Sequence, residues 1–533
     1  MAESGTEDQP RVGGPYAWYV LIVLVFVYMA NFIDRQILAI LAEDIKRDLG
    51  IDDSQLGFLY GTAFAVFYAL FGIPLGRLAD NWVRTRLLSL GLTLWSTMTA
   101  VSGLSTSFAQ LSMARVGVGI GEASASPSAF SMLSDWFPKE KRATALAIYS
   151  SGLYIGGGIS LLIGAAVVKA WNSAYPGGGP MGLVGWQAAF LAVGFPGLLL
   201  AALVATLKEP IRGRADGLPP PAPVTDVWSR FWHDLSSVLP PLTLFHLAQF
   251  GRQAVLSNLA VAAAFAGVAA LLIALTGDVP QWVALGIGGY AVASWAQSLR
   301  RRDPPTFALI WGTPTFVLAL VAFGFISFKG YAIGFWAAPY AIRTFVVPIA
   351  EAGGPIPFYA TTEFVAFFLG GWAAFGGFIG VVAGGWLSDR MKLNNPSGRI
   401  WVSALTTLVS APFVILMFTT DDLRLFFLFD IPVALFGSIY VGFAAATTQD
   451  LVLPRMRGAA TATYFIGTTM IGLGLGPYFA GKMSMVTGDL GTGILSLLIA
   501  APITLVCLYL VYQKLPLAEA TRIERARAAG EAI

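Results

Sequence analysis

This chain of 533 residues has very little of what a soluble protein or a metalloenzyme needs. Only 12% of its residues are charged, and it contains two histidines and one cysteine, Cys507. One cysteine excludes a disulfide within the chain, and so few histidines and cysteines give no metal cluster or catalytic thiol to argue for. The net charge of +3 is small, and the basic residues lie at the ends of apolar runs, which is typical of membrane topology rather than of nucleic-acid binding.

Apolar residues make up 56% of the chain, and 59 residues are glycine. Windows of about 20 apolar residues recur along nearly the whole sequence, and each can cross roughly 30 Å of hydrocarbon as a helix. The alternating pattern of transmembrane β-strands is absent from the sequence. The first apolar run contains charges and follows a polar segment of mixed charge, so we expect no cleaved signal peptide. The sequence predicts an all-α polytopic membrane protein.

Twelve spans fall into two groups of six. Six precede position 208, at about 17–42, 55–79, 87–107, 109–134, 142–169 and 186–207, and six follow position 312, at about 313–338, 364–387, 400–419, 423–447, 459–484 and 491–513. Basic loop residues such as Arg142, Arg399 and Arg457 all fall on one side, which the positive-inside rule makes cytoplasmic together with both termini. We expect the inner membrane of a bacterium.

The predicted organisation has five parts. They are a cytoplasmic tail at 1–16, a six-helix half at 17–207, a central insert at 208–312, a second six-helix half at 313–513 and a cytoplasmic tail at 514–533. The insert starts with IRGRADGLPPPAPVTD and continues with AVLSNLAVAAAFAGVAALLIALTG and QWVALGIGGYAVASW. An even number of crossings keeps both halves in the same orientation, so these runs predict two additional spans and 14 in total. The alternative is an apolar hairpin in the cytoplasm or at the membrane interface.

An internal repeat relates the two halves. GRLADNWVR after the second span matches GGWLSDRMK after the eighth, and FPKEKRATALAIYSSGLYIGGG matches LPRMRGAATATYFIGTTMIGLG. Two related halves around a central cavity are typical of a transporter.

The turn GRLADNWVRTR resembles the loop signature of the major facilitator superfamily, although Asn81 and Val83 depart from its pattern. In that family the aspartate caps a helix of the opposite half and pairs with loop arginines, so the cytoplasmic side is held closed. The resemblance implies this latch for Gly76, Asp80, Arg84, Arg86 and, in the second half, Asp389 and Arg390. The alternative is a solvated turn whose arginines only set the topology.

Charges within the spans are the strongest functional signal. The stretch NFIDRQILAI places Asp34 and Arg35 inside the first span, and ARVGVGIGEASASPSAF places Arg115 and Glu122 in the fourth. Such charges are costly at membrane depth and mark functional sites. From helix rise we expect Asp34 and Arg115 at the same height, with Glu122 as a second acceptor and Arg35 needing another partner. A static ion pair that fixes helix packing is the alternative.

Three segments carry a more specific resemblance. NFIDRQILAILAEDIKRDLGIDDSQLGFLYGTAFAVFYALFGIPLGRLAD, ARVGVGIGEASASPSAFSMLSDWFPKEKRATALAIY and FKGYAIGFWAAPYAIRTF together resemble the spinster family. That family holds proton-linked exporters of sphingosine-1-phosphate and lysophospholipids. The resemblance covers most of both halves, excludes the insert, and implies transport of a lysolipid or a similar amphiphile.

The histidines, His233 and His246, lie before the additional spans, so proton coupling would have to use carboxylates. We expect Asp34 to be the proton site, Glu122 the second choice, Arg115 the charge partner, and Arg35 a head-group ligand or outer gate. In FGFISFKGYAIGFW of the seventh span, candidate cavity residues are Phe325, Phe328, Tyr331 and Trp336, with Lys329 near a phosphate. Lipid-facing aromatics are the alternative, and Glu363 is either an outer gate or an interfacial residue.

These features predict a monomeric secondary transporter, with no cofactor and no enzymatic activity, whose partners are an amphiphilic substrate, protons and membrane lipids. An exporter of drugs or small organic anions is the second hypothesis. A receptor or lipid-modifying enzyme is the third, although the sequence offers no nucleophile, base and metal constellation for catalysis.

Overall fold

The computed structural model describes residues 10–217 and 225–532. Part of the predicted N-terminal tail, the proline-rich stretch at 218–224 and residue 533 lie outside the described residues. Within the described ranges the chain forms helices and no β-strand, which confirms the all-α fold.

The helices are numbered in chain order. The first half contains α1 Pro15–Leu49, α2 Asp53–Tyr60, α3 Thr62–Asn81, α4 Arg84–Ser102, α5 Phe108–Glu122, α6 Ala125–Trp136, α7 Lys139–Ala174 and α8 Gly185–Ala205. The insert contains α9 Val227–Ser236, α10 Leu242–Ala248, α11 Arg252–Thr276, α12 Val279–Arg302 and α13 Pro304–Ile310. The second half contains α14 Pro314–Ala341, α15 Val347–Glu351, α16 Thr362–Asn394, α17 Gly398–Thr419, α18 Leu423–Ser438, α19 Ala444–Asp450, α20 Arg457–Gly467, α21 Gly476–Thr487, α22 Leu490–Leu495, α23 Ala500–Ala520 and α24 Arg522–Ala528.

Ten helical segments of the described chain are long and apolar enough to cross a membrane. They include α11 of the insert and the continuous segments Asp53–Asn81 and Pro314–Glu351. The other predicted spans are also helical, but they are shorter, interrupted or more polar; α12, for example, buries Gln281, Ser294 and Ser298. The topology with 14 spans stays a prediction.

The turn between α1 and α2 is defined by local capping. α1 ends just before Gly50, whose φ of +64° suits a residue without a side chain. The Asp52 carboxylate accepts a bond from the Gln55 N–H, and the Gln55 side chain accepts one from the Asp52 N–H. α1 is therefore longer than the predicted first span, because its polar last turns stay helical up to the first residue that favours a left-handed conformation.

The chain divides into two compact units. Unit 1 comprises Met1–Ile37 and Phe71–Leu235, and unit 2 comprises Leu38–Leu70 and Ser236–Ile533. The units therefore differ from the predicted halves, because the segment 38–70 of the first half packs with the second half.

In unit 1, α7 lies in backbone contact with α1. A Cβ at Gly156 would come 2.5 Å from the Met29 carbonyl oxygen, so only glycine permits this approach. Near the same crossing, the Ser160 hydroxyl donates to the Ile33 carbonyl at 2.8 Å. These contacts fix the part of α1 that precedes Asp34 and Arg35.

In unit 2, α2 packs closely on α21. A Cβ at Gly57 would lie 2.4 Å from the Pro477 carbonyl oxygen, and one at Gly481 would lie 2.1 Å from that of Asp53. The Tyr60 ring stacks on Phe335 of α14, with ring centroids 4.3 Å apart. The start of the second predicted span is thereby held against helices of the second half.

The insert helices pack on one another through a polar seam. Asn258 of α11 donates to Ser294 at 2.8 Å and accepts from Tyr290 at 2.6 Å, both on α12. His246 of α10 lies 3.1 Å from the Ser298 hydroxyl. Hydrogen bonds to both partners satisfy Asn258 and allow it to be buried between helices.

The turn between α11 and α12 is attached to α2 and α21. Asp278 accepts hydrogen bonds from Ser54 at 3.1 Å and Tyr478 at 2.7 Å, and it pairs with Lys482 at 2.7 Å. On the next helical turn, Gln281 accepts from Thr62 at 2.7 Å. The part of the insert that contains α11 and α12 is therefore part of the packing of unit 2.

Candidate functional site

Four buried charged residues form a cluster in unit 1. Asp34 and Arg35 come from α1, and Arg115 and Glu122 from α5; their exposures are 2%, 6%, 0% and 1%. The Arg35 Nη2 atom lies 2.7 Å from Glu122 Oε2, and Arg115 Nη1 donates to the main-chain oxygen of Asp34 at 3.1 Å. The four residues predicted from the sequence are thus brought together, and they are called the charge cluster below.

The ion pair within the charge cluster joins Arg35 to Glu122, whereas the expected pairing of Arg115 with the Asp34 carboxylate stays a prediction. Arg115 binds the Asp34 main chain, and Glu122 pairs with Arg35. Arg35 is one residue after Asp34 and so points about 100° away around α1, which directs it toward the end of α5 that carries Glu122. Phe32 supports this position, since its ring centroid lies 4.8 Å from the Arg35 guanidinium carbon.

The Asp34 carboxylate is the exceptional member of the charge cluster. Its Oδ1 atom is buried and accepts no hydrogen bond from any residue in the described ranges. The Thr99 hydroxyl of α4 is a polar group close to it. A buried acceptor without a partner is rare, and at an ionisable group it is typical of a functional position.

Close helix packing positions α5. A Cβ at Gly121 would come 2.8 Å from the Gly91 carbonyl oxygen of α4, and a Cβ at Gly117 would meet the Met98 side chain at 2.5 Å. Small residues in GVGIGE therefore let α5 approach α4 closely. This contact determines the position of Glu122 at the end of α5.

A second charged cluster, in unit 2, was not predicted. Asp53 at the start of α2 accepts two hydrogen bonds from Arg343, at 2.9 and 3.0 Å, and others from Lys46 at 2.6 Å and Ser484 at 2.8 Å. Arg343 also pairs with Glu43 at 2.7 Å. We call these five residues the Asp53 cluster.

The Asp53 cluster joins the first and second halves of the sequence. Glu43, Lys46 and Asp53 surround the turn between α1 and α2, and Arg343 lies in a π-helical turn at Ile342–Val346 between α14 and α15. Single π turns are frequent at functional sites. The sequence signal was the charged stretch EDIKRDLGIDD together with the arginine in YAIRTF, but nothing in one sequence indicates that they meet.

One of the predicted latch residues of the first half, Arg84, is a buried arginine with several partners. Arg84 is fully buried and donates to Glu209 at 2.7 Å, Ser131 at 2.8 Å and the carboxylate of Asp135. Asp80 is exposed at the end of α3. The association of Arg84 with acids of its own unit makes it a structural centre of this end of unit 1.

Residues close to Arg84 make fewer hydrogen bonds than Arg84 does. Arg212 donates to the carbonyls of Ala79 and Trp82, both at 2.7 Å, and so attaches the start of the insert to the turn after α3. Burial and the neighbouring Arg84 guanidinium lower the pKa of Arg212. A Cβ at Gly76 would lie 3.9 Å from the Pro127 side chain of α6, and Arg86 is exposed.

The second half has a similar arrangement. Arg399 at the start of α17 donates to Asp389 at 2.8 Å and Asp450 at 2.7 Å, and Lys392 pairs with Asp450 at 2.6 Å. Arg390 is exposed, with its guanidinium 5.5 Å from the Trp386 ring centroid. Whether Asp80 and Asp389 cap helices of the opposite half stays a prediction.

Sequence reasoning missed Asp135 and Asp450. Both precede the repeated FPK and LPR segments, Asp135 three residues before Pro138 and Asp450 four residues before Pro454. An acid a few residues before each repeated segment is the signal that could have identified them as partners of the arginines at the start of α4 and α17.

Lys329 of α14 is buried and forms no ion pair with a carboxylate in the described ranges. It donates to the Ser410 hydroxyl of α17 and more weakly to the Thr406 carbonyl at 3.4 Å. With Phe325 it lines a small cleft between α14, α17 and residues 497–504. A cation in an apolar cleft suits an anionic group, but its role as a substrate ligand stays a prediction.

The other candidates of the seventh span differ in exposure. Trp336 is fully buried and donates to the Pro477 carbonyl at 2.8 Å, and Phe328 packs against Phe479. Tyr331 is half-buried beside Gly472, and Glu363 is half-buried in the first turn of α16. Trp336 and Phe328 therefore serve packing in this conformation, while Tyr331 and Glu363 keep some exposed surface.

No group of three or more His, Cys, Asp or Glu side chains that could hold a metal ion occurs in the described part of the chain. The arrangements of this chain that carry chemistry are thus ion pairs and single carboxylates. They can bind protons and charged groups and can change partners.

Sequence comparison decides the family, because the chain matches the Major Facilitator Superfamily over residues 24–371. It belongs to the major facilitator superfamily. Proteins of this family are transporters, and the resemblance to spinster proteins is confirmed by the relatives described next.

Two relatives and one solved structure illustrate the similarity. An MFS-type efflux pump of Mycolicibacterium smegmatis is 26% identical over 94% of this chain and 93% of its own length. Protein spinster homolog 1 of Xenopus laevis is 24% identical over 90% of this chain and 76% of its own length. The structure of a bacterial homologue of the human lysosomal transporter Spinster, inward-facing and unoccupied, covers 96% of this chain and 98% of its own, with 26% identity and a TM-score of 0.64.

Proposed function

We propose that this member of the superfamily is a proton-coupled transporter that moves a lysolipid or a similar anionic amphiphile by alternating access. The observation that carries the proposal is the charge cluster, in which the buried Asp34 carboxylate has an oxygen without a hydrogen-bond partner among the described residues. The membrane would be the inner membrane of a bacterium, with both termini cytoplasmic and the protein monomeric.

Asp34 is the proposed proton site. An ionised carboxylate at this burial is costly unless it is paired, and the buried Oδ1 atom of Asp34 accepts no hydrogen bond from the described residues. We infer that Asp34 is protonated in this conformation. Glu122, held by Arg35, keeps its charge.

Protonation of Asp34 changes the charge balance of the cluster. With Asp34 neutral, one ionised carboxylate, Glu122, faces two arginines, so the cluster has an excess positive charge that favours a phosphate or carboxylate ligand near Arg115. With Asp34 ionised, that excess disappears. Proton binding and anion binding at the charge cluster are therefore thermodynamically linked.

The Asp53 cluster is the proposed outer gate. It joins the turn between α1 and α2 to Arg343 of the second half, at the end of these helices opposite the arginine-rich turn before α4. Ion pairs that cross between the halves stabilise the state in which that end is closed, and they must break when it opens. Arg343 and Asp53 are thus gating residues rather than substrate ligands in this proposal.

The lipid nature of the substrate is supported by the similarity to spinster proteins over 90% of the chain. Lys329 and Tyr331 of α14 are candidate contacts for the head group and the chain of an amphiphile. Lys329 would meet a phosphate, since within the described residues its buried ammonium group donates to the neutral oxygens of Ser410 and Thr406.

An exporter of drugs or small organic anions is the alternative. The efflux pump of Mycolicibacterium smegmatis aligns with 94% of this chain. This similarity supports an efflux activity as strongly as the similarity to spinster proteins supports lysolipid transport. The same charge cluster could couple protons to such a compound.

Transport in proteoliposomes tests the proposal. Purified protein would be assayed with radiolabelled lysophosphatidylcholine and sphingosine-1-phosphate, and with ethidium and benzoate for the alternative, each with and without an imposed pH gradient. We expect a pH gradient to accelerate transport of a lysolipid in the wild type and to have no effect in Asp34→Asn. Asp421→Asn is the control, since Asp421 is an exposed carboxylate outside the charge cluster and the predicted latch. Acceleration of ethidium or benzoate alone would favour the alternative, and full gradient dependence in Asp34→Asn would overturn the assignment of Asp34.

A further inference from the structure

A second buried carboxylate lies in the second half of the chain, at Asp430 in the middle of α18. It follows Leu423, the first residue of α18, by seven positions, which corresponds to about 10 Å along the helix axis. It shares the buried face of α18 with Phe426, Phe427 and Val433, and its exposure is 7%. The surroundings of Asp430 are therefore apolar on its own helix.

Asp430 has no hydrogen-bond or ion-pair partner in the described part of the chain. α18 packs against α14, α16, α17 and the short helix Ile439–Gly442. In the described ranges, none of the charged side chains on these elements forms a hydrogen bond or an ion pair with Asp430. The ionisable groups concerned are Lys329, Tyr331 and Tyr340 of α14, Glu363, Asp389, Arg390 and Lys392 of α16, Arg399 of α17, and Tyr440.

Three of these ionisable groups form hydrogen bonds with residues other than Asp430. Lys329 donates to Ser410 and Thr406 of α17, and the Tyr440 hydroxyl bonds with Ser327 at 2.7 Å. Tyr340 donates to the Phe418 carbonyl at 3.3 Å. Asp430 thus faces no cation that could compensate an ionised carboxylate.

The surroundings of Asp430 indicate which cation its carboxylate can bind. A divalent cation needs several oxygen ligands, whereas no group of three or more acidic, histidine or cysteine side chains occurs in the described ranges. An organic ammonium group would need an open cavity beside the carboxylate. A proton needs neither, and it removes the charge that burial disfavours.

We propose that Asp430 is a second proton-binding site, which holds a proton on its carboxylate in this conformation. The bond formed is an O–H bond to one carboxylate oxygen, and the proton comes from and returns to water. Its contribution to transport rests on the proposed function, whereas its protonation does not.

The helix around Asp430 offers a route by which the site can change its exposure. Pro432 lies inside α18 and cannot donate a backbone hydrogen bond to the Leu428 carbonyl. Next to it, the Ile431 carbonyl accepts from the Trp372 indole at 3.0 Å. α18 gives way to a 3₁₀ turn at Ile439–Gly442. Proline and a change of helix type are the usual causes of bending, so α18 can bend near Asp430 when the transporter changes conformation.

Infrared spectroscopy of the full-length protein in lipid vesicles tests this proposal without a substrate. A protonated carboxyl group absorbs apart from ionised carboxylates, and its band shifts when H₂O is replaced by D₂O. We expect the spectrum of Asp430→Asn to lack one such band that the wild type shows at neutral pH. Asp389→Asn is the matched control and should lose none, because Asp389 is exposed and paired with Arg399.

Two further variants separate the possible outcomes. Asp430→Leu should lose the same band and remain folded, since a neutral carboxyl without partners is replaced by an apolar side chain. Asp34→Asn should lose a different band. Loss in Asp430→Asn but not in Asp34→Asn would support this inference and contradict the proposed role of Asp34. An unchanged band intensity in both Asp430 variants would show that Asp430 is ionised and would overturn the inference.

Discussion

The Arg35 guanidinium donates to Glu122 at 2.7 Å, and both side chains are buried although 87 positions separate them in the sequence. A buried ion pair contributes little net stability relative to apolar residues, but removal of one partner leaves an uncompensated charge. The pair therefore makes α1 and α5 interdependent.

Glu122→Ala and Arg35→Ala should each destabilise the protein, by about 3–5 kcal/mol where the remaining charge stays buried. The double variant Arg35→Met with Glu122→Leu should be more stable than either single variant, because neither member of this ion pair is left behind without the other. Thermal unfolding in detergent checks this order. Strictly additive losses would contradict the interdependence of the two residues.

Glu122→Gln should keep the shape of the side chain while removing its charge. We expect it to weaken the dependence of transport on a pH gradient without abolishing it, since Asp34 is the proposed proton site. The proteoliposome assay described above measures this, with Asp34→Asn as the reference for complete loss. Complete loss in Glu122→Gln would instead make Glu122 the proton site.

The prediction that both insert helices cross the membrane can be tested by cysteine labelling. Val279, after the turn between α11 and α12, is half exposed. In a variant with Cys507 replaced and Val279→Cys introduced, an impermeant thiol reagent should label intact cells if both insert helices cross the membrane. Labelling only after permeabilisation would identify the insert as a hairpin on the cytoplasmic side.

The latch prediction concerns Asp80, which lies exposed at the end of α3 near Arg77, Arg84 and Arg212. Asp80→Asn should weaken the cytoplasmic closure, because an amide binds arginines and helix N-termini less strongly than a carboxylate. Spin-label distances between the cytoplasmic ends of the two halves should shift toward longer values. The same distribution as in the wild type would mean that the turn only sets the topology.

The members of the charge cluster could be predicted from the sequence, but their pairing could not. Asp34, Arg35, Arg115 and Glu122 are conspicuous because charges are rare inside apolar runs, and helix rise places them at similar depths. Depth does not give the rotation of α1 about its axis, and that rotation decides that Arg35 rather than Arg115 meets Glu122. Asp430 was missed although it also interrupts an apolar run.

The Asp53 cluster shows a different limit. Its members lie at the ends of spans, where charges are expected and attract no notice. Arg343 and Asp53 are separated by 290 positions, so only the tertiary packing of α2 against α21 and α14 brings them together. Local signals, such as the capping of α2 by Asp52, were readable from neighbouring residues, whereas contacts between halves were not.

Arg343 gives the sharpest test of alternating access. Arg343→Ala removes the hydrogen bonds that join Glu43 and Asp53 to the second half, which should favour the state open at that end. Loss of charged hydrogen bonds worth about 2 kcal/mol corresponds to a shift of roughly 30-fold in the equilibrium between closed and open states.

Spin labels at Asp48→Cys and Ala352→Cys, both exposed and in unit 2, report the distance by pulsed electron paramagnetic resonance. We expect longer distances in Arg343→Ala and unchanged distances in the control Arg424→Ala, whose guanidinium donates to the Tyr359 hydroxyl at 2.7 Å. If the distances in Arg343→Ala match the wild type, the cluster stabilises the fold without gating it.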